Sequence, residues 1–291
     1  MKRIFTAALM TLAIAALSIS CSQQQGLYPK KKGVLRVASY NVGVFAKWDG
    51  SGIAFTADLM KELDADIIGM QELDSCANRT GNVYQIEAFA AEMGPDWGYT
   101  YAPALKPFQG GAYGVGQTWD GTKREVVKSF NLVLPKGKGS ETRALAVVEY
   151  EDLVFASTHL DHRNDSSQLA QAVLVTETLE GLYGAGSKPV ILVGDFNAYP
   201  DSQTITYCRE HWDVLNDVSK TTYPKWKEIK AMEVKPQTIA ETPGFCIDYI
   251  MVLKNSAKYE LVKIDTCVPF EAGDVFQSSD HLPVYADLIL K

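Results

Sequence analysis

The chain has 291 residues, 35 acidic against 28 basic side chains, a formal net charge of -7 and 46% hydrophobic residues. The chain is long enough to bury a large core, and its acidity argues against a broad basic face for gripping polyanions. A local cationic or metal-filled cleft stays compatible with it.

Met1, Lys2 and Arg3 precede an apolar run from Ile4 to Ile19. The charged start and short core are those of a secretory signal peptide, and the run is too short and too rich in alanine to be a membrane span. Residues 1–20 are therefore expected to direct export, and their removal takes Lys2 and Arg3 and moves the net charge to -9. Cys21 after Leu17-Ser18-Ile19-Ser20 resembles the lipobox of bacterial lipoproteins, with Ser18 where leucine is commoner. The expectation is a lipid anchor on Cys21, the only membrane contact foreseen; ordinary cleavage is the alternative. Residues 21–32 read as anchor and tether, and residues 33–291 as one domain without repeats, expected to be monomeric. Besides Cys21 there are Cys76, Cys208, Cys246 and Cys267, an even number that permits disulfides after export and lacks the C-x-x-C spacing of a zinc site.

Val34 to Asn41 alternates well enough to be the first strand, followed by glycines at 43, 50 and 52. A helix is predicted around Phe55 to Leu63, then a short buried strand from Asp66 to Glu72. Residues 82–93 read as helical and Tyr99 to Pro103 as a strand. Gln109 to Gly116 is rich in glycine without the strand-turn-helix context of a dinucleotide fingerprint. It is expected to bring backbone close to a ligand, with Tyr113 at the rim. Thr142 to Glu149 and Leu153 to Thr158 read as antiparallel strands, the second running into His159-Leu160-Asp161-His162-Arg163. Asp165 is expected to cap a helix over 166–182 with an apolar stripe of Leu169, Ala172, Val173, Leu179 and Leu182.

Val190 to Val193 is a run of apolar, mostly branched residues that reads as a buried strand, and Gly194-Asp195-Phe196-Asn197 closes it. In continued extension Asp195 and Asn197 share a side and Phe196 points back into the protein. Residues 214–245 lack periodicity and read as a long surface excursion able to shape a cleft. Phe245 to Val252 is another buried strand, whose Asp248 needs a partner such as a histidine. Tyr259 to Val268 is expected to return as its hairpin partner, which would set Cys246 opposite Cys267 in a disulfide. Asp280-His281 then precedes a final strand.

Asn41, Glu72, His159, Asp195 with Asn197, and Asp280-His281 all end or follow buried-looking strands. One polar strand end is usually a turn, but repetition across a sheet points to a shared cleft. Oxygen-rich donors favour Mg²⁺ or Mn²⁺ over a closed zinc cage.

Taken together, Ser39-Tyr40-Asn41, Gln71-Glu72, Arg143, Thr158-His159-Leu160-Asp161, Gly194-Asp195-Phe196-Asn197, Ile247-Asp248-Tyr249-Ile250 and Ser279-Asp280-His281-Leu282-Pro283-Val284 resemble the endonuclease/exonuclease/phosphatase superfamily. The resemblance implies a four-layer α/β/β/α sandwich of two mixed sheets packed face to face, and divalent-metal-dependent cleavage of phosphoester bonds. By the same resemblance Glu72 is the principal metal ligand, aided by Asn41 and Asp280. Asp195 aligns or deprotonates the attacking water and Asn197 orients it. His281, held by Asp248, is a general base or stabilises the crowded phosphorus. His159 and Arg143 donate to the non-bridging oxygens, and Asn41, Tyr113 and Asp161 face the substrate. Tyr113 fits the family pattern only loosely, and no long Lys/Arg-rich insertion suggests a grip on duplex nucleic acid. The substrate stays open between nucleic acid, a phospholipid such as sphingomyelin, and an inositol or sugar phosphate. A non-catalytic surface binding lipoprotein is the reading from another class, and the completeness of the residue set argues against it.

Overall fold

In the computed structural model, which describes residues 26–45 and 52–291, strands and helices follow one another as β1 (Leu35–Asn41), α1 (Gly52–Leu63), β2 (Ile67–Ser75) and α2 (Gln85–Met93). A run of strands follows: β3 (Trp97–Phe108), β4 (Gly111–Asp120), β5 (Val126–Leu134), β6 (Arg143–Tyr150) and β7 (Val154–His159). Then come α3 (Asp165–Tyr183), β8 (Val190–Asp195), α4 (Gln203–His211), β9 (Trp212–Val214), β10 (Tyr223–Pro224) and α5 (Trp226–Ala231). The chain ends with β11 (Gly244–Phe245), β12 (Asp248–Leu253), β13 (Tyr259–Thr266) and β14 (Val284–Leu290). The expected signal peptide and the expected anchor at Cys21 fall outside the described residues. No helix among the described residues is long and apolar enough to cross a membrane.

Two six-stranded mixed sheets carry the fold, in the orders β13-β14-β1-β2-β4-β3 and β5-β6-β7-β8-β12-β9. They meet face to face through Val37, Ile67, Phe155, Ile191, Val193, Ile250 and Val252. The outer face of the first sheet packs Ala38, Tyr40 and Met70 against Leu59, Met60 and Phe89 of α1 and α2. That of the second packs Leu145, Val147 and Leu192 against Val175, Leu179 and Ile205 of α3 and α4. The result is the expected four-layer sandwich. It explains why β8 reads as an unbroken apolar run: Ile191 and Val193 face the other sheet while Val190 and Leu192 face the helices, so both sides are buried.

The same two-residue period aims the polar strand ends. Val37 and Ile67 on β1 and β2, Phe155 on β7, Ile191 and Val193 on β8, and Ile250 and Val252 on β12 face the space between the sheets. Counting on by twos reaches Asn41, His159, Asp195 and Asp248, which therefore share one end of that space. Glu72 is delivered differently, by a register shift between Met70 and Leu73 of β2 at which Glu72 takes a left-handed backbone with φ 56°.

Several expectations are corrected. Tyr28 is no tether residue: its ring packs on Phe270 and Tyr285 at 5.2 and 5.8 Å and its hydroxyl donates to Pro269 O at 2.6 Å. The glycines of β4 serve its neighbour strands rather than a ligand, since a Cβ at Gly114 would stand 2.1 Å from Ala102 O of β3. Asn164, not Asp165, caps α3 by accepting from Ser167 N. The buried face of α3 runs through Gln168, Gln171, Ala172, Val175 and Leu179, leaving Leu182 54% exposed. β12 and β13 are not a hairpin; they belong to different sheets. Cys246 accordingly lies in the core under α3 and α4, Cys267 in the opposite one under α1, and both are free thiols.

Candidate active site

Asp195 occupies the middle of the site. Its carboxylate is almost wholly buried, accepts from Asn197 N through Oδ1 at 2.8 Å, and receives Asn41 Nδ2 on Oδ2 at 3.0 Å. His281 Nε2 stands 3.6 Å and His159 Nε2 3.4 Å from the same Oδ2. Behind His281 its Nδ1 meets Asp248 Oδ2 at 2.9 Å and Oδ1 at 3.1 Å, so the partner that a buried Asp248 requires is this histidine. Asn197 adopts φ 50°, which turns the chain away from extension; its Nδ2 faces His159 Nε2 at 3.0 Å and donates to Leu160 O at 3.2 Å.

These contacts shape the proton affinities. Burial pushes the Asp195 carboxyl up, and neighbouring Asp248 adds to it, to about 7. Burial opposes a charged imidazole at His281, but the carboxylates of Asp248 and Asp195 outweigh it and raise the group to about 10. His281 is thus the cation and Asp195 the group that titrates near neutrality. The three ligand atoms of Asp195, Asp248 and His281 lie within 4.8 Å of one another, a spacing that a metal ion could also bridge. His281 Nδ1, however, is committed to Asp248.

A cleft of about 560 Å³ opens over this centre. Glu72, Tyr113, Arg143, His159, Asp280 and His281 line it together with Asp195 and Asn197. Arg143 is 2% exposed; Nη1 faces His159 Nδ1 at 3.4 Å and Nη2 faces His162 Nδ1 at 3.0 Å. Burial keeps the Tyr113 hydroxyl protonated far above its usual range. Asn41 sits behind the wall with Nδ2 toward Glu72 Oε1 at 3.3 Å, while its Oδ1 accepts from Gly43 N at 3.1 Å. The amide nitrogen, not the oxygen, therefore faces the carboxylates.

Asp161 is also corrected. It is fully buried outside the cleft lining, and its oxygens accept from Ser140 N, Ser140 Oγ, Arg163 N and Asn164 N at 2.7 to 3.0 Å. Its work is to fix the loop around His162 rather than to touch a substrate. Sequence reasoning passed over Tyr223, whose ring lies 4.8 Å from that of His281, and the rim carboxylates Glu141 and Asp165. Tyr223 lies in the aperiodic excursion, and nothing local marks it. Asp165 reads in the sequence only as a helix cap.

Comparison with known proteins agrees with this fold. A search of curated protein sequences finds no match. Among solved structures, one from Bacteroides vulgatus described as an endonuclease/exonuclease/phosphatase shares 19% identity and a TM-score of 0.69, covering 89% of this chain and 100% of that one. The mannosyl-6-phosphatase of Bacteroides thetaiotaomicron shares 20% identity and a TM-score of 0.67, covering 88% and 100%. The human Nocturnin catalytic domain with bound sulfate shares 19% identity and a TM-score of 0.59, covering 91% and 96%. A sequence profile of the Endonuclease/Exonuclease/phosphatase family matches residues 38–281, from β1 to His281 itself. With the profile covering most of the chain and every strand end that carries the site, the chain belongs to the endonuclease/exonuclease/phosphatase family of phosphoester hydrolases.

Proposed function

We propose that this protein is a divalent-metal-dependent phosphoester hydrolase of the cell envelope. The observation that carries the reading is the chain of contacts from Asp248 through His281 to Asp195 on the floor of the cleft. Burying two carboxylates beside an imidazole has no stabilising purpose that apolar residues would not serve better. It supplies instead a proton acceptor near neutrality next to a fixed cation.

Among the described residues, five carboxylates line the cleft (Glu72, Glu141, Asp165, Asp195 and Asp280) against one permanent cation, Arg143. That surplus of anionic oxygen donors fits a hard ion such as Mg²⁺ or Mn²⁺, with Glu72 and Asp280 as the residues that would hold it. When bound, such an ion neutralises charge on the phosphate and acidifies water. Asp195, with its carboxyl near 7, takes the proton of the attacking water as that oxygen bonds to phosphorus and the ester P–O bond breaks, the leaving oxygen departing as an alcohol with a proton from solvent. Asn197 and Asn41 hold the Asp195 carboxylate in place. His281, protonated at neutral pH and kept in one orientation by Asp248, stabilises charge that develops on the phosphate. Arg143 and His159 serve as further donors to the non-bridging oxygens.

Glu141, 3.4 Å from Arg143 Nη2, and Asp165 add negative charge to the cleft lining, which disfavours a polyanionic substrate. This favours a substrate with a single phosphate group, and fold similarity to a mannosyl-6-phosphatase sets sugar phosphates first among candidates. The test is a panel of p-nitrophenyl phosphate, bis(p-nitrophenyl) phosphate, hexose phosphates, sphingomyelin and single-stranded DNA, each with Mg²⁺ and with EDTA. Hydrolysis abolished by EDTA is expected. No hydrolysis of any member, or hydrolysis indifferent to EDTA, would contradict the proposal. Envelope location rests on Cys21: Cys21→Ala should move the protein from the membrane to the soluble envelope fraction, and unchanged fractionation would count against the anchor.

A further inference from the structure

The segment between β9 and β12 contributes more than a wall to the cleft. Thr222, fully buried within it, makes an unusual set of contacts. Its Oγ1 accepts from the backbone N–H of Ile247 and of Asp248, both at 3.0 Å, and donates to Phe245 O at 3.4 Å. One hydroxyl thereby uses both lone pairs and its proton. The backbone of the same residue donates to Phe245 O at 2.8 Å and accepts from Leu282 N at 2.8 Å. Thr222 thus holds the strand end that carries Asp248 through its side chain, and the loop that carries His281 through its carbonyl. Two residues further along the segment reinforce the second attachment, since Tyr223 lays its ring 4.8 Å from that of His281 and Trp226 Nε1 donates to Asp280 O at 3.0 Å.

We propose that Thr222 is a positioning residue for hydrolysis: it sets the separation and orientation of Asp248 and His281 by fastening both of their backbones to one buried point. The inference rests on the reading of His281 and Asp248 given above. Asp248 opens β12 of one sheet and His281, 33 positions later, lies in the loop before β14 of the other, so their 2.9 Å contact is only as well defined as whatever joins the two. A valine at 222 would have the same shape and no acceptor, leaving two buried N–H groups unserved. A serine would keep the acceptor.

The experiment is a double-mutant cycle on the intact protein, with folding checked by circular dichroism. Thr222→Val should lower kcat about tenfold or more with KM changed by less than about twofold, because only the geometry of the charge-bearing pair is disturbed. Thr222→Ser should keep at least about half of wild-type kcat, and Thr222→Val in the Asp248→Asn background should cost almost nothing further, since coupled residues are not additive. Should Thr222→Val fail to fold, Thr222→Ala takes its place in the cycle, with room for a water at the two N–H groups. A loss that appears in KM, a serine as impaired as valine, or equal losses in both backgrounds would overturn the proposal. If Asp248→Asn and His281→Gln themselves turn over like wild type, it is the underlying functional reading that fails.

Discussion

Asp248→Asn isolates the charge behind His281 while leaving volume almost unchanged. In the folded protein Asp248 meets His281 Nδ1 through both oxygens, at 2.9 and 3.1 Å, with both side chains almost fully buried. A hydrogen bond to a charged group contributes about 1.5–3 kcal/mol, so its loss should lower the proton affinity of His281 by about one to two pH units from its value near 10. If the same interaction supports the transition state, kcat should fall by about 10- to 150-fold. His281→Gln, which deletes the imidazole, should cost about a hundredfold or more at every metal concentration. The assay is initial-rate hydrolysis of the best substrate in the panel across a magnesium titration, with circular dichroism for folding and proton NMR for the histidine titration. A folded Asp248→Asn protein within twofold of wild type would refute the reasoning, because the buried carboxylate would then have no bearing on the imidazole's work.

The pH dependence follows from the same pair. Asp195 must be ionised to accept a proton, so kcat/KM should rise with pH toward about 7 and fall again as His281 deprotonates near 10; a flat profile across 6 to 8 would contradict the assignment. Both folded-state values lie above the ordinary ones, so each group stabilises the fold most below its unfolded value and loses that contribution as pH rises, Asp195 from about 4 to 7 and His281 from about 6.5 to 10. The thermal midpoint of metal-free protein should therefore decline across those intervals, and a midpoint that climbed between pH 6.5 and 10 would reverse the sign. Gly114→Ala should destabilise by about 1–3 kcal/mol, because its Cβ would stand 2.1 Å from a backbone carbonyl that cannot move without disrupting β3; urea unfolding at wild-type stability would show the strand pair to be looser than described.

Much of this architecture was legible because two covered sheets impose simple patterns. Continuous apolar runs such as Val190–Val193 mark strands buried on both sides, and the two-residue period places Asn41, His159, Asp195 and Asp248 on one surface. Asp248 inside an apolar strand demanded a partner, and His281 supplies it. What escaped was whatever depends on which sheet a strand joins. Val252 and Tyr259 are close in sequence, yet β12 and β13 part into different sheets, so the symmetric spacing of Cys246 and Cys267 about their connection carried no information on pairing. Buried polar faces were equally hidden: Gln168 and Gln171 face the core of α3 because each finds backbone partners there, which no hydrophobic stripe can announce. Asp161 and Asn41 look like ligands by type, and only their partners show that one fixes a loop and the other offers its amide nitrogen. Thr222 and Tyr223 sit in a stretch with no period at all, and their roles arise from long-range contacts alone.

In the proposed mechanism Glu72 anchors a divalent ion on which phosphoester hydrolysis depends. Metal-stripped wild-type protein and Glu72→Gln, titrated with Mg²⁺ and with Mn²⁺ while turnover is followed, test it most directly. Glu72→Gln removes a ligand charge with little change in volume, so the account predicts an activation curve displaced to higher metal concentration and partly recovered activity at saturation. Activity that survives stripping, or superimposable activation curves for the two proteins, would contradict it.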